Sequence, residues 1–361
     1  MRRLLGVAFV VIVLVAGSAG AASADPPPPV RCGDTVSGDV TLTRSLRCPG
    51  VALHLAGSTQ IDLGGFSLRG PGKDSGVPAL EFVGWEDPQT LGVRNGTLKD
   101  WGLLVSSGGS PTVTTSAVNV ADLGQFTDAV YTAVTIESSR YRNAGAIGAF
   151  SVTTTRISDS VLSATWLQSA GYGNITVERS TIKDVPGAAI AVSEGIVNLT
   201  DSRLTNNGVG ISSAWTGTHV SRSVLKSNGV AIQTDSGGDV FGEWTDSIAD
   251  STFVDNGTAL QLGVNATVTG NDFRRNEHAV DSRTGGSFLE ATIALEANSL
   301  THNGDAIYVD GPSSLKDNRA IANTGIGIYT PRATDLGGNV AYRNGVSPQC
   351  TGVVCASAPI S

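Results

Sequence analysis

The sequence predicts an all-β solenoid, a chain wound into stacked coils that share one apolar interior. Three observations carry this reading. Short aliphatic segments recur at a nearly constant interval, and Ser or Asn returns at a fixed offset from them. Material for long helices is scarce, with five Lys, one Met and 45 Gly in 361 residues.

The repeat is anchored on Gly96, Ser116, Ser139, Ser160, Ser180, Ser202, Ser223, Ser251, Asn271, Asn298, Asn318 and Asn339, spaced 20 to 28 residues apart. Three residues before each anchor stands an aliphatic residue, from Val93 and Val113 through Ile136, Val177 and Leu199 to Leu315 and Leu336. Two residues after it runs a second apolar column, from Leu98, Val118 and Tyr141 to Ala320 and Ala341. Nine residues after it a third is formed by Ile211, Ile232, Leu260, Val280 and Ile307. Three short apolar segments per ~21 residues, parted by Gly, Asn and Ser, describe three strands per coil. Coils that pair strand on strand lie ~4.8 Å apart. One coil cannot bury its own apolar side, whereas a stack can. The expectation is about 12–13 coils over residues 25–345.

Residues 1–24 read as a secretory leader, with Arg2-Arg3, an apolar stretch from Leu4 to Ala16, and Ala22-Ser23-Ala24 before a cleavage site at Asp25. That stretch is short of the ~20 residues a spanning helix needs, so no membrane span is expected. The mature protein is then exported, which suits disulfides. Cys32 with Cys48, and Cys350 with Cys355, each close a short loop at one end of the mature chain. Residues 25–60 form the entry and 346–361 the closing segment, because open strand edges at either end of a stack need covering. The insertion at 71–91 has no readable role.

Within the coils, Asn recurs five residues after the anchors at Asn207, Asn228, Asn256, Asn276, Asn303, Asn323 and Asn344. Asn tolerates left-handed turns and can bond to the next Asn along the stack, so this column reads as a structural ladder. One residue before the anchors, Asp159, Arg179, Asp201, Arg222 and Asp250 alternate in sign and read as a solvated charge row.

The segments Val197–Ile211 and Ser314–Ile328 resemble right-handed parallel β-helix repeats. Cys32-Gly33-Asp34-Thr35, Cys48-Pro49-Gly50 and Ile61-Asp62-Leu63-Gly64-Gly65-Phe66 resemble the entry coils of secreted proteins in that pectate-lyase-like group. The resemblance covers about residues 30–345 and implies a right-handed winding. It does not transfer an active site. The R-x-P-x-x-R stretch of pectate-lyase-like enzymes is matched only by Thr330-Pro331-Arg332. The N-T-D, D-D, G-H-G and R-I-K motifs of polygalacturonase-like enzymes and the D-P-H of alginate epimerases do not occur. The superfold hosts lyases, hydrolases, epimerases and non-enzymes alike.

Function is bounded by charge and by loops. The formal net charge is −8, and the leader holds two of the cations, which argues against a general grip on nucleic acid. The four His are scattered and show no metal spacing, and no phosphate loop or nucleophile elbow is present. No cofactor is expected, with calcium entering only if the protein is a lyase. Two long intervals insert similar loops at one phase, Ser236–Glu243 and Thr284–Glu290. Two coils apart, they should emerge on one face ~10 Å from each other. Glu243 and Glu290 are the candidate catalytic pair, since two carboxylates ~6.5–9.5 Å apart can work as acid and base about a glycosidic bond. Trp215 and Trp244 are candidate stacking platforms for sugar rings, and Asp239, Asp246 and Arg283 candidate hydrogen-bonding groups. The sequence therefore points to a monomeric secreted protein that binds or processes an extracellular polysaccharide. A passive adhesive rod and a scaffold presenting loops to a protein partner are the alternatives.

Overall fold

The computed structural model describes residues 29–84, 89–129, 131–148, 154–235, 245–282 and 291–357. Residues 1–24, read from the sequence as a leader, lie outside these. Among the described residues there is no helix, and every strand pairs in parallel with its equivalent one coil on.

The second apolar column gives the clearest register. Leu46, Leu68, Leu98, Val120, Tyr141, Leu162 and Ile182 stack in order, then Leu204, Leu225, Phe253, Phe273, Leu300, Ala320 and Ala341. That is about 14 turns, slightly more than the repeat alone suggested. The coil spacing shows in the Phe253 and Phe273 rings, which stack with centroids 4.8 Å apart. The third column extends the predicted one at both ends, from Ile190 through Ile211, Ile232, Leu260, Val280 and Ile307 to Ile328. All these residues join one continuous buried core.

Each coil has three sides. The first sheet carries the column of Ile136, Ile157, Val177 and Leu199, the second sheet the three-residue strands such as Arg203–Thr205, and the third sheet the column of Ile190 and Ile211. Single residues in left-handed conformation turn the corner from first to second sheet, among them Asp159, Arg179, Asp201, Arg222 and Asp250 at φ of 46° to 51°. These side chains point outward as expected. Arg179 forms a two-pronged pair with Asp159 and Arg222 one with Asp201, at 2.7–2.8 Å. The guanidinium hydrogen bonds hold both Asp carboxyls below their ordinary range.

Behind the corners run two buried ladders. Asn276 shows the pattern: its Oδ1 accepts from the backbone N–H and the side-chain Nδ2 of Asn256, while its own Nδ2 donates to Phe253 O and to Oδ1 of Asn303. The predicted ladder from Asn207 to Asn344 follows this scheme, and Gln349 ends it by accepting from Asn344 N and Nδ2 through Oε1. A parallel ladder runs through the anchors, Ser in the early coils and Asn from Asn271 onward. Both expected disulfides, Cys32–Cys48 and Cys350–Cys355, are present.

Two residues of the predicted repeat are displaced. Val118, not Ser116, occupies the anchor position, since its N–H donates to Ser139 Oγ and it pairs with Gly96. The first column therefore contains Thr115 in place of Val113, and the Thr115 hydroxyl is bonded to the buried Tyr141 hydroxyl at 2.8 Å. At the far end, Asp335 and not Leu336 lies beside Leu315, and Leu336 is 57% exposed. The last coil has nothing stacked beyond it there, so the apolar column stops. Asp335 instead accepts from the N–H groups of Gly337 and Val354 and from Asn339 Nδ2, closing that end.

Candidate functional site

Most of the variation in coil length falls at the third corner, where the chain leaves the third sheet and re-enters the first, although the segment 70–77 enters instead between the strand Ser67–Arg69 of the second sheet and Pro78–Phe82 of the third. The segments 106–111, 127–133, 236–244 and 283–290 all fall at the third corner, between matched strands on either side. The sequence expectation that both long loops share one phase agrees with their flanking strands, because Gln233, Gln261 and Asp281 follow one another in register. Asp239, Glu243, Trp244, Arg283 and Glu290 lie outside the described residues.

Just before the first long loop, the same corner narrows to one or two residues per coil. Ser193 pairs with Ala214 and Gly195 with Thr216, which sets Glu194 beside Trp215. One coil earlier, Ala170 pairs with Ser193 and Gly173 with Gly195, which sets Tyr172 at the same place. Tyr172, Glu194 and Trp215 therefore form a row, one strand spacing per step, leading into loop 236–244. All three are left-handed, with φ of 51°, 61° and 52°. A bulky aromatic residue is a costly occupant of that conformation, about 1–3 kcal/mol against a Gly. Neither ring is packed into the core in return: Tyr172 is 70% exposed and Trp215 40%. Trp215 is thus where the sequence placed it. Tyr172 and Glu194 were missed, although Gly171-Tyr172-Gly173 sits at the same phase two coils earlier.

Asp246 is elsewhere. It is fully buried in an inward column, paired in register between Thr218 and Ala266, so it faces the interior and not the loop side on which the sequence placed it. Its Oδ1 accepts the Thr218 N–H at 2.8 Å, and its Oδ2 has no hydrogen-bond partner. Burial pushes its carboxyl up to about 7, opposed by the Thr218 amide and more weakly by the facing Thr234 and Thr218 hydroxyls.

Beside the corner, the outward side of the third sheet adds polar and aromatic groups. His278 Nδ1 lies 3.2 Å from Asp305 Oδ2, and Asp305 Oδ1 accepts the Ile326 N–H at 2.9 Å. Tyr308 and Tyr329 stack at 4.7 Å on adjoining coils. Among the described residues no group of three or more His, Cys, Asp or Glu is placed to hold a metal ion, and no helix is long and apolar enough to cross a membrane.

No protein-family model matches the chain, and no relative is found among curated proteins. Solved structures with similar winding include a DFA-IIIase from Arthrobacter chlorophenolicus A6 in complex with GF2, 13% identical over 91% of this chain and 89% of that one, TM-score 0.36. The A-module of the mannuronan C-5 epimerase AlgE6 from Azotobacter vinelandii is 14% identical over 91% and 92%, TM-score 0.29. The catalytic domain of a GH87 alpha-1,3-glucanase is 11% identical over 91% and 63%, TM-score 0.29. Likenesses this distant assign neither activity nor site.

Proposed function

We propose that the protein is a secreted β-helix that binds an extended polysaccharide along its third corner. The observation that carries this reading is the row Tyr172–Glu194–Trp215, two exposed rings held in an unfavourable backbone conformation with a carboxylate between them. Tyr172 and Trp215 are two coils apart, ~10 Å, a spacing at which two alternate sugars of a chain lying along the rod can each stack on a ring. Glu194 then accepts hydrogen bonds from hydroxyls of the sugar between them. Should the bound chain be cleaved, Glu243 and Glu290 on the neighbouring loops are the groups to serve as acid and base, with Trp244, Asp239 and Arg283 extending the contact.

The test is binding of neutral and charged oligosaccharide panels to the full chain and to the Tyr172→Gly/Trp215→Gly variant. Gly suits the left-handed backbone, so the variant should keep or gain thermal stability while losing at least tenfold in affinity for its best neutral ligand. Unchanged binding by the variant overturns the proposal. Separately, Glu243→Gln and Glu290→Gln should abolish any release of reducing ends, and intact hydrolysis would remove both from the active site.

A further inference from the structure

The second sheet lies opposite the loop-bearing corner, and its outward side is organised by charge. Arg47, Lys99, Arg142, Lys183, Lys226 and Arg274 stand in a single row, one on every second coil. Beyond Arg69, the coils between them put Ala121, Ser163, Thr205 and Val254 in that row, and no carboxylate interrupts it. Cations thus recur at two coil spacings, ~10 Å, over a length of ~48 Å. Arg140 and Arg203 add to it from the parallel row on the same strands.

Some of these groups have partners at the sheet edge. Lys99 lies 3.8 Å from Asp122, Lys183 3.3 Å from Asp184 and Lys226 3.8 Å from Asp255, while Arg274 lies 2.8 Å from Asp272, which stands in the parallel row on its own strand. Exposed pairs of this kind are weakly held and leave the cation able to take a second anion. Arg142, Arg140 and Arg203 are exposed and form no ion pair with any described residue. The negative charge of the rest of the molecule is screened beyond ~10 Å, so the row acts as a local positive strip.

We propose that this row is a docking strip for an extended anionic polysaccharide that carries one carboxylate per disaccharide. In such a chain alternate sugars present their acid groups on the same side once per disaccharide, a length close to two coil spacings. A polymer lying along the rod then meets one cation per acid group without bending. The ladders and the stacked strands keep the spacing fixed, so selectivity comes from matched periods and not from a pocket. The strip is separate from the aromatic row, and its occupant is distinguished from that row's by charge.

Hyaluronan fragments, with one carboxylate per disaccharide, are the probe, and binding is measured at rising ionic strength. Arg142→Ser/Lys183→Ser/Lys226→Ser should lower affinity at least tenfold. The decisive variant is Arg142→Ser/Ser163→Arg, which keeps the net charge and shifts one cation by a coil. It should bind severalfold more weakly than the parent. Equal binding by the shifted variant, binding insensitive to salt, or tighter binding to anionic vesicles or duplex DNA would each overturn the proposal. All substituted positions are on the surface, so unchanged circular dichroism and melting confirm intact coils. Tyr172→Gly/Trp215→Gly should leave hyaluronan binding as it is, which keeps failure of the strip distinct from failure of the corner.

Discussion

Asp246→Asn probes a carboxyl fully buried in an inward column of the coil. In the folded chain its carboxyl is raised from 3.8 to about 7 by burial, with a single backbone N–H on Oδ1 and nothing on Oδ2. An acid whose folded value is raised binds its proton more tightly folded than unfolded. Its contribution is therefore fully present below about pH 4, is lost as pH rises, and is gone above about pH 7. A shift of this size corresponds to about 4 kcal/mol, most of it between pH 4 and 7. The surface carboxyls of Asp159 and Asp201 act in the opposite sense, since their depressed values stabilise the fold above the unfolded value and fail only as pH falls through the folded one. That window lies below pH 4 and does not overlap. Urea unfolding of the parent at pH 5, 6, 7 and 8 should show stability declining by about 2–3 kcal/mol, with most of the decline ended by pH 8. The Asn variant should be nearly level over the same range. Parallel slopes in the two proteins would refute the assignment, because the pH dependence would then reside in other groups.

Two further substitutions test the interior. Thr115→Val removes the hydrogen-bond partner of the buried Tyr141 hydroxyl, and should cost about 1–3 kcal/mol in chemical unfolding, recovered in part by Thr115→Val/Tyr141→Phe. Asn276→Ala removes the bonds it makes to Asn256 N–H, to one hydrogen of Asn256 Nδ2 and to Phe253 O, and should cost at least about 3 kcal/mol, read as a lowered urea midpoint.

The fold was legible because the repeat is written three times per coil, so that errors in one column are checked by the others. Where it misled, the cause is the two-residue alternation of strands. Val113 and Thr115 point the same way, and a slip of two residues keeps every side chain on its proper side. The registers are distinguished by polar contacts, the Thr115–Tyr141 hydroxyl pair and the Val118 N–H on Ser139 Oγ, which leave no apolar signature. The same alternation could have placed Asp246: it stands two residues before Ile248, a member of the first column, and so shares its inward direction. Trp215 was legible as an aromatic residue at a corner. Tyr172 and Glu194 were not, because their significance lies in the backbone conformation and in being neighbours across coils. The basic row was invisible for a similar reason, as its members are 41 to 52 residues apart in the chain and fall into line only once the register is fixed.

The side-chain ladder also bears on how the protein ages. Asn207, Asn228, Asn256, Asn303 and Asn344 are each followed by Gly, the dipeptide most prone to spontaneous deamidation, in which the Gly nitrogen attacks the Asn side-chain carbonyl. Here the Gly N–H groups at 208, 229, 257, 304 and 345 are all committed to carbonyls of the preceding coil at 2.8–3.0 Å, and the Asn amides are locked between neighbours. The cyclisation geometry is out of reach while the coils stay wound. Damage to the ladder must then begin at an unravelling end, with Asn344 the first in line, and each aspartate so formed would place a charge in the ladder and loosen the next rung.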